Sequence, residues 1–326
     1  MAQWTHVNGR HHAEAVYAIV SDSSAAARSA IAASWIRSVT QYGLNPEEFR
    51  EPERLEQHHL DAARERLAQL RLAAEPTLDR LFRAVGHGGA CVLIADTNGV
   101  PIEQRSAAAD DDGFYRAGLW NGAVWHEAQQ GTNGIGTALA EGRVLTVHRN
   151  QHFFTRNIGL SCTAAPLYDH EGLLVGVLDV SSCRDDLDAS AATVFAMTIA
   201  EAARRIELAQ FRQAYLGARF VLSPDADQEP GVVLAVDRDD LVIGATRAAR
   251  RLYGISSDRI RAGLPASLIL NEQDEAAEDL AAAERSVVHR ALARAGGNVS
   301  HAARSLGMSR ATLHRKLRRL RIRTPD

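Results

Sequence analysis

Lysine is almost absent: the 326 residues contain one, Lys316, and every other basic side chain apart from histidine is an arginine. A phosphate loop of the GxxxxGK[ST] form needs a lysine behind its glycines, because backbone N–H groups cradle the phosphates while the lysine reaches the terminal one. Lys316 sits in HRKLRRL instead, and no segment between about Asp225 and Ala283 is long enough for an ATPase, so ATP-driven chemistry of that type is not expected. Long apolar runs are lacking too. No window approaches the ~18 consecutive apolar residues of a membrane span. The opening MAQWTHVNGRHHAEA lacks the charged, then apolar, then small-residue layout of a signal peptide, which sets the expectation of a cytoplasmic chain without a membrane partner. Cysteine is scarce: Cys91, Cys162 and Cys183 make an odd count without CxxC spacing, so neither a disulfide framework nor a thiolate zinc site is indicated. Buried thiols are the expectation.

What is present is an ordinary globular composition, 46% hydrophobic and 24% charged, over a length that fits two or three domains. The net charge of −3 hides an uneven distribution. From residue 290 to 325 every formally charged side chain is basic, whereas NEQDEAAEDLAAAE just upstream carries Glu272, Asp274, Glu275, Glu278, Asp279 and Glu284. The acidic run reads as a solvated linker entering a helix N-terminus, and it marks a domain boundary.

Beyond it, AAAERSVVHRALARA places Val287, Val288, Ala291, Leu292 and Ala295 on one helical stripe, with Gly296-Gly297 available as a left-handed cap. Asn298 is an N-cap for VSHAARSL, Gly307 permits a turn, and Ser309 is a second N-cap for RATLHRKLRRL. Two short helices meeting at one turn make a helix-turn-helix. With Val299, Ala303, Leu306, Met308, Leu313 and Leu317 assigned inward, the second helix exposes Arg310, Thr312, His314, Arg315, Lys316 and Arg319. Arginine reads guanine edges in the major groove, and flanking arginines bind phosphate and release counterions. The competing reading is a solvated basic amphipathic helix that meets RNA or a membrane surface.

The stretch GGNVSHAARSLGMSRATLHRKLRRLRI resembles the C-terminal DNA-binding region of the Fis family. Carried over position by position, the resemblance implies DNA roles for Asn298, Ser300, Ser309, Arg310, Thr312, His314, Arg315 and Lys316; His314 stands where a longer basic residue is common. Arg319 joins them from the exposed face. Such proteins dimerise through the preceding helix, which implies a homodimer contact on 281–295.

In the middle of the chain, GACVLIAD ends at Asp96-Thr97-Asn98-Gly99 before VPIEQRS, and CTAAPLY is joined to LLVGVLDVSS by Asp169-His170-Glu171-Gly172; both read as hairpins. Between them EAQQGTNGIGTALAEG is a glycine-rich turn and short helix, followed by the strand RVLTVH, and a long helix from Ala189 to about Leu216 closes the unit. Hairpins flanked by helices predict an α+β domain with an antiparallel sheet. GTNGIG lacks the lysine and ribose-binding acid of a nucleotide site, and His126-Glu127 is not HExxH because positions 129 and 130 are glutamines. No cofactor and no metal site is expected, and His11-His12 and His58-His59 read as surface pairs.

WNGAVWHEAQQGTNGIGTALAEGRVLTVHRNQHFFTRNIGLSCTAAPLYDHEGLLVGVLDVS resembles the GAF sensory domain of acetoin-regulator-type transcription factors, and IAASWIRSVTQYGLNP resembles their N-termini. The resemblance implies a small-molecule pocket lined by Trp125, Thr132, Asn133, Ile135, Phe153 and Cys162, with effectors among alcohols, diols and ketones. GVVLAVDRDDLVIGATRAARRLYGIS looks like the opening of a PAS domain, shortened to about forty residues.

The expected organisation is an N-terminal helical region (1–73), a GAF-like domain (74–216), a shortened PAS-like segment or spacer (217–270) and the helix-turn-helix (271–326). The expected function is an effector-responsive regulator of double-stranded promoter DNA, not an enzyme, acting without ATP hydrolysis by occupying DNA or touching RNA polymerase. The rival is a redox sensor or thiol enzyme using Cys162, with His126, His148 or His152 as base. A nucleoid-packaging protein fits less well, since a large sensory region would have no purpose there.

Overall fold

The structure, a computed structural model, describes residues 2–22, 24–86, 89–184, 189–222, 230–270, 280–320 and 322. The acidic run 271–279, Arg321, Arg323 and the side chain of Arg290 lie outside the described residues. The chain divides into two compact units, Met1–Ala266 and Ser267–Asp326.

The first unit opens with helices α1 (Ala2–Val20), α2 (Ala25–Arg28), α3 (Ala30–Ile36), a π-helical turn (Arg37–Gln41), α4 (Gln57–Arg66) and α5 (Ala68–Val85). Then follow β1 (Ala90–Asp96), β2 (Pro101–Arg105), α6 (Asp111–Ala117), α7 (Glu127–Gln130), α8 (Gly134–Glu141), β3 (Leu145–His148), β4 (Ser161–Tyr168), β5 (Leu174–Ser182) and α9 (Ala189–Ala214). The described strands form a five-stranded antiparallel sheet in the order β2-β1-β5-β4-β3, with Cys162 opposite Ser181 and Ala164 opposite Asp179.

β1 shows why its sequence is apolar without a break. A strand turns successive side chains to opposite faces. Val92 and Ile94 join a core with Leu70, Leu78 and Leu81 of α5 and Ile199 and Ile206 of α9, while Cys91, Leu93 and Ala95 join Phe114, Leu119, Trp125, Ile135 and Cys162 on the other side. Both faces are covered from Ala90 to Ala95, so the strand's one polar residue, Asp96, stands at its end, where its Oδ1 accepts the Asn98 and Val100 N–H groups of the turn. Ile199, Ala203, Ile206 and Phe211 of α9 are buried as its spacing predicts, but Val194 and Met197 are exposed.

α9 runs into a second antiparallel sheet, β6-β7-β8-β9 (Arg219–Leu222, Val233–Val236, Leu241–Ala245, Leu264–Pro265), with α10 (Arg247–Tyr253) and α11 (Ser257–Arg261) beside it. Phe211 of α9 packs with Val233 and Ala235 of β7, so this sheet is seated on the end of the long helix.

The second unit holds α12 (Ser267–Leu270), α13 (Leu280–Arg294), α14 (Val299–Ser305) and α15 (Arg310–Arg319). Val288, Ala291, Leu292, Ala302, Ala303, Leu313, Leu317 and Leu320 form its core. Val287, expected inward, is 42% exposed on α13. After α14 the chain turns at Gly307, whose φ of +64° favours a residue without a Cβ. The Met308 N–H then donates to Ala303 O at 3.0 Å and the Gly307 N–H to Arg304 O at 3.2 Å, a Schellman closure that satisfies the carbonyls left over at the end of the helix.

Candidate functional site: a basic helix face and a buried polar network

α15 buries Leu313 and Leu317 and leaves Arg310, His314, Arg315, Arg318 and Arg319 exposed. Its start is fixed by Ser309, whose Oγ accepts the Thr312 N–H at 3.1 Å and lies 2.9 Å from Thr312 Oγ1. Asn298 does the same for α14, accepting the His301 N–H at 3.0 Å, and Ser300 is exposed in the first turn. The positions inferred from sequence therefore fall into two groups. Arg310, His314 and Arg315 present free surface, whereas Asn298, Ser309 and Thr312 already have helix-capping work. Lys316 and Arg319 are not free either: both pair with Glu284 on α13. Arg318 is exposed on the same helix and was not singled out from sequence; the inward set Leu313, Leu317 and Leu320 is the pattern that would have found it.

The six residues inferred as an effector lining are all buried, but they do not share one surface. Trp125, Ile135 and Cys162 meet on the sheet face beneath α6. The Trp125 indole N–H donates to Gly118 O at 2.9 Å. Asn133 caps α8: its Oδ1 accepts the Gly136 N–H at 2.8 Å while its amide donates to Gly131 O and Trp125 O. Phe153 belongs to a different cluster, with Val16 of α1 and Trp35 of α3. Thr132 lies 2.6 Å from Ser34 Oγ of α3. The N-terminal helices thus form a strap over the GTNGIG turn. The same strap corrects the surface reading of His12, which is buried with its Nε2 donating to Phe153 O at 3.1 Å, while His11 is exposed. Arg37 ties the strap down, its guanidinium donating to Glu127 Oε1 at 2.7 Å, Glu127 Oε2 at 3.0 Å and Glu141 Oε1 at 2.9 Å.

Under the strap runs a chain of polar groups that joins Cys162 and His152, both weighed from sequence, to Ser181 and Asp179, which were not. His152 Nδ1 donates to Arg149 O at 3.0 Å, which leaves Nε2 as the acceptor 3.4 Å from Cys162 Sγ. Ser181 Oγ lies 3.0 Å from that sulfur and 2.6 Å from Asp179 Oδ2. All four side chains are buried, and Asp179 Oδ1 has no hydrogen-bond partner among the described residues. Gly134 makes the approach feasible, since a Cβ there would stand 2.6 Å from both Asp179 Oδ1 and Cys162 Cβ. His152 and Asp179 were present in the quoted HF and GVLDVS blocks, but those blocks do not say what the residues meet. The base required by the thiol reading is in place. The thiolate is not: burial pushes the Cys162 thiol well above its usual range, so it stays neutral at pH 7 and is a poor nucleophile. His126 is instead a helix cap, its Nδ1 accepting the Ala128 N–H at 3.2 Å. His148 Nδ1 lies 2.9 Å from Ser161 Oγ. Glu56, His58 and His59 bring ligand-type atoms within 4.8 Å of one another, all three exposed.

Burial raises Asp179 to about 7 and lowers His152 to about 4. The signs differ. Asp179 binds its proton more tightly folded than unfolded, so its contribution to stability is lost as pH rises from about 4 through about 7; His152 binds more weakly folded, so its contribution is regained as pH rises from about 4 to 6.5. Asp179→Asn is expected to remove only the first effect. Denaturant midpoints at pH 5 and pH 7.5 should show the variant gaining on the natural protein by on the order of 2 kcal/mol at the higher pH. An equal gap at both pH values would mean that the carboxyl is solvated.

Residues 69–206 match the GAF domain family model, and residues 279–320 match the model of the bacterial regulatory protein Fis family. The chain joins a GAF domain to a Fis-family helix-turn-helix. Its relatives include the acetoin catabolism regulatory protein of Cupriavidus necator, 33% identical over 246 residues, which cover 74% of this chain and 36% of that one. They also include the acetoin dehydrogenase operon transcriptional activator AcoR of Bacillus subtilis, 30% identical over 154 residues, covering 47% of this chain and 25% of that one. The chain thus spans about a third or less of the length of these relatives. Among solved structures, the E. coli DhaR(N)–DhaL complex aligns over 70% of this chain and 77% of the matched chain with a TM-score of 0.52 at 15% identity, a likeness of fold. Among the described residues no helix is long and apolar enough to cross a membrane.

Proposed function

We propose that the protein is an effector-responsive, sequence-specific DNA-binding transcription regulator that works without ATP hydrolysis. The observation that carries it is the exposed Arg310, His314 and Arg315 face of a capped Fis-family helix in the same chain as a GAF domain. The N-terminal turn of α15 enters the major groove of promoter DNA, where Arg310 and Arg315 read base edges, and Asn298, Ser300, Ser309, Thr312, His314, Lys316 and Arg319 fix the register on the backbone. The chain acts as a homodimer, with α13 contributing a contact that includes the exposed Val287. The effector, an alcohol, diol or ketone, is taken up on the sheet face that holds Trp125, Ile135 and Cys162, bounded by Thr132, Asn133 and Phe153. Residues 74–216 are the sensor and 217–270 a PAS-like spacer between it and the DNA-binding region 271–326. The protein controls transcription in the cytoplasm by occupying DNA or meeting RNA polymerase.

The test is a salt-titrated binding assay on the upstream promoter DNA of its own gene, against scrambled DNA, with and without a panel of small alcohols, diols and ketones. Preference for the promoter that changes with one compound supports both halves of the reading. Equal binding to both DNAs overturns it. Arg310→Ala is expected to lose ~1–3 kcal/mol of discrimination at one base pair, and unchanged operator preference in that variant removes Arg310 from base readout.

A further inference from the structure

The first unit contains a cleft of about 340 Å³ that the proposed function does not use. One wall is the sensor sheet, at Pro166 and Tyr168 of β4 and the turn at Arg143; the second is α9, at Ala203, Glu207 and Phe211; the third is the spacer, at Thr246 and Arg247. That volume falls in the range of small-molecule sites.

Its lining is chemically uneven. Arg143, Arg204, Arg247 and Arg251 face two carboxylates, Asp169 and Glu207. Among the described residues neither acid forms an ion pair with Arg143, Arg204 or Arg247. Asp169 is committed to its own hairpin, its Oδ1 accepting the Glu171 and Leu173 N–H groups, both at 2.9 Å. Glu207 accepts the Tyr168 N–H at 3.1 Å, and burial raises its carboxyl to about 7 against the pull of Arg247 and Arg204, so at pH 7 it carries only part of a negative charge. Arg204 pairs with Glu201 on its own helix at 3.0 Å, and Arg143 with Glu141 at 3.6 Å. Arg247 differs. Its guanidinium carbon lies 3.7 Å from the centre of the Tyr168 ring, and among the described residues it makes no ion pair or hydrogen bond. Stacking fixes the plane of the guanidinium and leaves its N–H fork for an acceptor, an arrangement that suits a carboxylate bound through two oxygens. Around it the surface is apolar, at Ala203, Leu208, Phe211 and Pro166.

We propose that this cleft binds a small organic acid, its carboxylate held by the stacked Arg247 with Arg143 in support and its apolar body resting on α9. Such a ligand would touch the sensor sheet, the long helix and the spacer at once. The inference does not rest on the DNA-binding reading, because the binding can be measured without DNA.

The test is titration calorimetry on the full chain with benzoate, glutarate, inorganic phosphate and the neutral isostere benzyl alcohol. Benzoate or glutarate is expected to bind and benzyl alcohol to be at least tenfold weaker. Arg247→Gln should lose tenfold or more of the carboxylate affinity, and Arg143→Gln, at a more exposed position, should lose severalfold with an unchanged melting temperature. Arg261→Gln, an exposed arginine on α11, serves as the charge control and should bind as the natural protein does. The proposal is overturned if no carboxylate binds, if all three variants bind equally well, or if phosphate binds and both carboxylates fail, the last result assigning the cleft to phosphate instead.

Discussion

Arg37→Ala is expected to lower the stability of the Met1–Ala266 unit by roughly 3 kcal/mol. The reason lies in what it leaves behind. The Glu127 side chain is 1% exposed, and both its oxygens accept hydrogen bonds from the Arg37 guanidinium, at 2.7 and 3.0 Å. Removing the arginine strands a buried carboxylate, which costs far more than the net worth of the intact pair. The loss extends beyond one bond. Arg37 continues α3, whose Trp35 donates to Gln151 O at 2.9 Å and whose Ser34 meets Thr132, so freeing Arg37 loosens the strap over the GTNGIG turn. Arg37→Lys keeps the charge without the two-pronged geometry and should fall between the natural protein and Arg37→Ala. Arg37→Ala combined with Glu127→Gln should recover a substantial part of the loss, since no charge then remains buried. Urea denaturation followed by tryptophan fluorescence measures all four chains. A change below about 0.5 kcal/mol in the single alanine variant would mean that water reaches Glu127 when the arginine is gone.

This ion pair also shows where the sequence stops being readable. Local features were legible because their cause is local: Asn298 and Ser309 are caps because a short oxygen-bearing side chain folds back onto an N–H three residues on, and β1 is a strand because its alternation feeds two apolar cores. The hairpins β1–β2 and β4–β5 announced themselves through their turns. Arg37 and Glu127 are ninety positions apart, and nothing in either segment names the other. Separation along the chain also hid the packing of Phe153 with Trp35 and Val16, and His12, whose polar neighbours disguised a buried hydrogen bond to Phe153 O. The buried network was partly visible, since Cys162 and His152 were both weighed. Asp179 was not: an acid within an apolar strand gives no sign of where its carboxyl ends up, and here the Gly134 backbone, brought in by α8, is what leaves room for it. The short β6 and β9 carry too few residues to show a period, and they lie on either side of the stretch that resembles a PAS domain, so the four-stranded pairing of the second sheet is not visible in sequence.

Glu284→Gln is expected to tighten binding to operator and scrambled DNA alike, by three- to tenfold near 100 mM salt, with the slope of log affinity against log salt steeper by roughly one to two. Glu284 stands on α13, and its two oxygens hold Lys316 and Arg319 of α15, which keeps its carboxyl below the usual range. Lys316 and Arg319 lie one turn apart on α15, between the buried Leu313–Leu317 stripe and Arg315, where both reach Glu284 of α13. In the free protein, then, two of the cations proposed to meet DNA, Lys316 from the Fis-family resemblance and Arg319 from the exposed helix face, are already paired with the chain's own Glu284, and phosphate has to compete with that acid. Removing the acid frees both at once and adds two counterion-releasing contacts without altering Arg310. Affinity and specificity should therefore separate: Glu284→Gln shifts binding to all sequences with operator preference intact, whereas Arg310→Ala shifts preference with the salt slope nearly unchanged. Fluorescence anisotropy on operator and scrambled duplexes across 50–300 mM salt reads both quantities. An unchanged salt slope in Glu284→Gln would place Lys316 and Arg319 outside the DNA contact and leave their pairing with Glu284 as a structural brace between α13 and α15.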